Sequence, residues 1–164
     1  MLFINRITAA VIFVPMLLWS AQPFREHRYI YSIDRHFEMN GTISFSDEKM
    51  EILYTQPHSR RIVYDGSSLD VYDSSGELVQ HTDLDSEPVM KLYMRFISQL
   101  YRGNFKELED NFKLEYKNGS IRLLPIPPAD KVVLGIVVQR SGGTISKITT
   151  RMSNGDEIVL DIAP

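Results

Sequence analysis

Residues 41–79 read GTISFSDEKMEILYTQPHSRRIVYDGSSLDVYDSSGELV. Four short apolar-polar runs fill this stretch. The first, 41–45, sets Ile43 and Phe45 two residues apart, and the second, 49–55, alternates Met50, Ile52 and Tyr54 with Glu51, Leu53 and Thr55. The third and fourth cover 60–64 and 69–72. Successive side chains of a strand point to opposite faces, so a period of two predicts half-buried strands. The breaks carry turn chemistry: Ser46-Asp47, Gln56-Pro57-His58-Ser59, Asp65-Gly66-Ser67 and Ser74-Ser75-Gly76. Asp-Gly readily supplies positive φ, and Pro57 presets a turn while removing a donor. The stretch predicts an antiparallel meander with one apolar and one mixed face.

Downstream, 77–82 reads as another strand, and the period then changes. Val89, Leu92, Tyr93, Phe96, Ile97 and Leu100 recur at helical spacing, with Met90, Met94 and Tyr101 widening the apolar arc. Asp85 or Ser86 is a candidate cap, Pro88 suits a first turn, and Gly103 supplies a stop, so one helix is predicted over 87–101. Asn104 with Glu107 opens a second, short helix through Glu109. Phe112, Leu114 and Tyr116 alternate, Asn118-Gly119 turns the chain, and Ile121 and Leu123 return. Residues 132–138 are apolar on both faces, which predicts a central strand covered on both sides. Residues 145–152 and 157–162 complete the β content, about ten strands in all.

Upstream, 24–39 is charged and aromatic. Tyr29, Tyr31 and Ile33 alternate with Ile30 and Ser32, so its centre suits a first strand. Residues 1–21 read as an export signal: Arg6 is followed by an apolar run over 7–19 and by Ser20-Ala21. The run is shorter than the ~20 residues of a spanning helix, so cleavage near Ala21 is expected. The alternative is an uncleaved anchor. The remaining 22–164 form a single domain.

Hydrophobic residues make up 43% of the 164, enough for one real core, and the formal net charge of −3 gives no basic footprint for nucleic acid. The chain has no cysteine, which excludes disulfides, thiolate catalysis and cysteine–zinc sites. His27, His36, His58 and His81 are scattered, and His36-Phe37-Glu38 lacks a third ligand at metal spacing. Gly66-Ser67-Ser68 lacks the strand-to-helix setting of a nucleophile elbow, and no Gly-rich phosphate loop precedes a helix. No enzyme activity, metal or cofactor is expected.

The ordered set of a Gly-led strand, Thr55-Gln56-Pro57, a strand with Asp65-Gly66, and a strand ending Tyr72-Asp73 resembles the core of the outer-membrane lipoprotein carrier (LolA) family. The resemblance continues through the helix, Leu123-Leu124-Pro125 and the turns Ser141-Gly142-Gly143 and Asn154-Gly155-Asp156. It covers roughly 120 residues, a length suited to one domain. It implies an α+β fold, an incomplete antiparallel β-barrel with one main helix closing the open side. It further implies a periplasmic, monomeric carrier of lipid or lipoprotein acyl chains, served by an inner-membrane donor and an outer-membrane acceptor. On that reading the apolar cavity is lined by Ile43, Phe45, Ile52, Tyr54, Ile62, Tyr64, Leu92 and Phe96. Met90, Met94 and Met152 are adaptable additions. The sequence departs from the family in two places. The family's N-terminal helix is short or absent in 22–27. Asp47-Glu48 stand where the family carries a lid-holding arginine, leaving Arg60 and Arg61 to replace it. The alternative reading is a non-enzymatic sensing or interaction domain of the same fold.

Overall fold

A computed structural model describes residues 21–47 and 49–163. Residues 1–20, nearly all of the expected export signal, lie outside the described residues, as does Glu48. Among the described residues no helix is long and apolar enough to cross a membrane.

The first strand is β1 (Gln22–Ile30), followed by β2 (Arg35–Ser46), β3 (Lys49–Gln56), β4 (Arg60–Tyr64), β5 (Ser68–Tyr72) and β6 (Leu78–Asp83). Helix α1 (Pro88–Arg102) and the short α2 (Phe105–Leu108) then intervene. Strands β7 (Phe112–Lys117), β8 (Ser120–Pro125), β9 (Val133–Ser141), β10 (Thr144–Met152) and β11 (Glu157–Ile162) complete the chain. All eleven strands form one antiparallel sheet in the order β6-β5-β4-β3-β2-β1-β11-β10-β9-β8-β7. The sheet is open, with β6 and β7 at its edges. The fold is therefore α+β, an open antiparallel sheet with one main helix.

The N-terminal strand differs from the expected one. Residues 22–27 are strand rather than any remnant of a helix, and the supposed strand centre at Tyr31–Ile33 is a 3-10 turn. Asp34, in the left-handed region at φ 48°, ends that turn, and the Tyr29 hydroxyl donates to its Oδ1 at 2.9 Å. The aromatic alternation that looked like one strand is thus the corner of a long hairpin, with Tyr29 paired to His36. Strand β9 is likewise not covered on both faces. Val133, Ile136 and Val138 are buried, but Leu134 is 62% exposed. An antiparallel sheet can leave one face to water, so an apolar run need not mean double coverage.

The core lies on one face of the sheet. The alternation in β3 is as expected, with Met50, Ile52 and Tyr54 buried. Gly41 sits opposite them on β2, where a Cβ would lie 2.4 Å from the Leu53 carbonyl oxygen and 3.0 Å from Phe24 Cζ, so only glycine fits. Helix α1 starts with Pro88 and without a side-chain cap, and it ends at Gly103, whose φ of 73° turns the chain out. It buries Met94, Phe96, Ile97 and Leu100 in the same core, whereas Val89, assigned to the apolar face, is 60% exposed.

The β4–β5 turn rests on Asp65. Its Oδ1 accepts from the backbone N–H of Ser67 at 2.9 Å and of Ser68 at 2.7 Å. These two bonds, Ser68 first, hold the carboxyl at about 2, below its ordinary 3.8. A depressed pKa contributes stability that is complete above the unfolded value and is lost as pH falls through the folded one. The turn should therefore weaken between pH 4 and 2. An NMR titration of the Asp65 carboxyl is expected to show a midpoint near 2 that is absent from Asp65→Asn. A midpoint near 4 would refute the turn geometry.

Candidate functional site

Where α1 crosses the sheet, the packing leaves a partly enclosed cavity of about 110 Å³. It is lined by the sheet residues Ile52, Tyr54, Ile62, Leu69, Ile158 and Leu160, and by Tyr93, Met94, Ile97 and Tyr101 of α1. Tyr93, Ile97 and Tyr101 follow at a spacing of four, which stacks them along one helix face. Their partners from the strands come from alternate positions, as a pleated sheet requires. A larger depression of about 690 Å³ runs over the ends of β1, β2 and β11, but it lies open to solvent. The cavity under α1 is the one where buried polar groups meet apolar walls.

Those polar groups come from β1. Phe24, Glu26 and Arg28 share one parity, so all three point to the core side. Glu26 is only 3% exposed. A buried carboxylate is costly unless paired. Here the Tyr54 hydroxyl donates to Glu26 Oε2 at 2.8 Å, and Arg28 Nη2 lies 2.6 Å from Oε1. The Phe24 ring meets Tyr54 edge-on at 5.7 Å, fixing the tyrosine's position. Burial penalises the charged Arg28 guanidinium most, but Glu26, Tyr54 and Tyr93 together outweigh it and raise its pKa. Burial, followed by the charge of Glu26 and the hydrogen bond to it, raises the Tyr54 hydroxyl far above its ordinary 10. Burial pushes Tyr93 up to about 12 and Tyr101 well above 10, so both remain phenols.

Of the residues assigned from the sequence, Ile52, Tyr54 and Ile62 line this cavity. Ile43, Phe45, Tyr64 and Phe96 are buried in the core but are not among its lining, and Leu92 packs partly buried against that core. Phe96 is 1% exposed and meets Phe112 of β7 at 4.7 Å, ring centroid to centroid. Met94 lines the cavity, whereas Met90 is 43% exposed and Met152 is partly buried elsewhere. Glu26 and Arg28 were missed because charged residues at alternate positions read as a solvent face. Their parity with Phe24 was the available signal.

Arg60 stacks over Tyr54 at 5.0 Å, and Arg61 pairs with Glu51 at 3.5 Å and covers Tyr72 at 4.3 Å. Neither makes a hydrogen bond or ion pair with α1 among the described residues. The arginine that ties α1 to the sheet is its own Arg102, whose Nη2 donates to the Lys49 carbonyl at 3.2 Å and whose guanidinium lies 4.6 Å from the Phe45 ring centre. His27 stands exposed between Glu38 and Asp161 at 3.6 and 3.7 Å, and His81 meets Asp70 at 2.6 Å. Among the described residues no group of three His, Cys, Asp or Glu side chains is arranged to hold a metal ion. The chain matches no family model, and no curated protein matches it.

Proposed function

We propose that this chain is a LolA-like carrier that binds lipid or lipoprotein acyl chains between α1 and the sheet and passes them between membranes. The observation that carries the reading is the partly enclosed, largely apolar cavity under α1. Its lining includes Leu69 of β5 and Thr150 of β10. In a flat sheet those strands, six spacings apart, would stand about 29 Å from each other, yet a round cavity of this volume is only about 6 Å across. Their meeting supports a sheet curled into an incomplete barrel, with α1 over the open side.

The cavity is smaller than the ~300–1,000 Å³ usual for a ligand pocket. Loading therefore requires α1 to swing off the sheet, with Arg102 as the contact that must yield. Apolar transfer supplies the binding energy, about 25 cal/mol for each Å² removed from water. Release then needs only an acceptor that covers the acyl chains better. Inner-membrane donor and outer-membrane acceptor proteins are the partners such a cycle demands, and the periplasm is where it would run. No catalytic step is assigned: Glu26, Arg28 and Tyr54 at the cavity bind one another.

The test is mass spectrometry of organic extracts from protein purified out of an envelope fraction. Acyl lipid at near-equimolar amounts is expected. Protein that is folded, lipid-free and unable to acquire lipid from vesicles would support the interaction-domain reading instead.

A further inference from the structure

The polar end of the cavity is built for more than hydrocarbon, and its assignment rests on the carrier reading. Glu26 is 3% exposed, and its Oε1 accepts no hydrogen bond in spite of the nearby Arg28 Nη2. Arg28 Nε is buried without a partner, and both residues line the cavity. Tyr93 and Tyr101 line it from the helix side, and among the described residues neither hydroxyl has a hydrogen-bond partner. Both side chains are half-buried. Unmet polar groups against an apolar wall are costly, so such sites hold water or a ligand's polar atoms.

We propose that this end is a subsite for the carbonyl oxygen of an otherwise apolar ligand, an acyl ester or a fatty carboxyl group, held by the Tyr93 and Tyr101 hydroxyls and the Arg28 guanidinium. Arg28 Nε can only donate, and the two tyrosine hydroxyls can donate beside it, so a ligand oxygen that accepts satisfies all three. The two tyrosines stay protonated well beyond neutral pH and donate throughout. Glu26 cancels the charge of Arg28, so the subsite makes no demand for an anion. The acyl chain then runs along Ile52, Ile62, Leu69 and Met94.

The experiment compares the wild type with Tyr93→Phe/Tyr101→Phe and with each single variant. The probes are cis-parinaric acid, its methyl ester, and diphenylhexatriene, which has no polar group. The double variant should bind the parinaroyl probes about tenfold to thirtyfold more weakly, the loss of two hydrogen bonds. Diphenylhexatriene binding should not change. Loss on acid and ester alike assigns the shared carbonyl, and loss on the acid alone assigns a carboxylate. Thermal midpoints should hold or rise, since no internal hydrogen bond is removed. A fall in midpoint, an equal loss on all three probes, or no loss at all would overturn the subsite. If the wild type takes up none of the three, the carrier reading fails and the subsite with it. Should the double variant not fold, the single variants give the same reading at about half the logarithmic loss.

Discussion

Phe96→Ala is expected to lower stability by about 3–5 kcal/mol, the cost of deleting a phenyl ring from a tight core. The ring is 1% exposed and has Phe112 edge-on at 4.7 Å, so protein surrounds it. Met94, two residues nearer the N-terminus and so about half a turn round the helix, lines the cavity. Met94→Ala should cost about 2 kcal/mol, the low end for such a truncation, because the side chain has protein on only part of its surface. Urea unfolding of both variants, read at the midpoint with unchanged slope, checks the pair. Equal costs would mean that the space under α1 is not a cavity.

The second large effect belongs to Glu26. Glu26→Ala leaves the Tyr54 hydroxyl without its acceptor and Arg28 without its counter-charge. Breaking a buried pair from one side costs several kcal/mol. Arg28 retains 31% side-chain exposure and can be partly rehydrated, so about 3 kcal/mol is expected, at the low end of that range. For a chain of this size that is roughly 6–12 °C in Tm. Arg28→Met alone should also destabilise. The double variant should cost less than the two single costs together, because neither charge is then left alone. Additive costs would show that the two side chains do not pair in solution.

The strand pattern was legible because most strands bury one face only. Met50, Ile52 and Tyr54 alternate in the sequence as they do in the sheet. Helix α1 was legible from its period and from Gly103. The β1–β2 hairpin was not, because Tyr29, Tyr31 and Ile33 mimic a strand across a corner that Asp34 closes. The cavity was legible only in part. Ile52, Tyr54 and Ile62 follow from strand parity, but the space depends on which helix residues fail to meet the sheet. Phe96 reaches Phe112 and closes its gap, whereas Tyr93, Ile97 and Tyr101 do not close theirs. That difference lies in helix tilt and sheet curl, which no periodicity records. Glu26 and Arg28 were hidden for a different reason: a charge on the buried face has the same letters as a charge on the wet one.

The proposed carrier function requires that α1 can leave the sheet to admit an acyl chain. Fluorescence titration of the purified protein with cis-parinaric acid, competed by unlabelled phospholipid, measures this directly. Saturable uptake at one site per chain is expected, blocked when a disulfide engineered into this cysteine-free sequence clamps α1 to the sheet and restored on reduction. Absence of uptake by protein that still unfolds cooperatively, or uptake indifferent to the clamp, would contradict it.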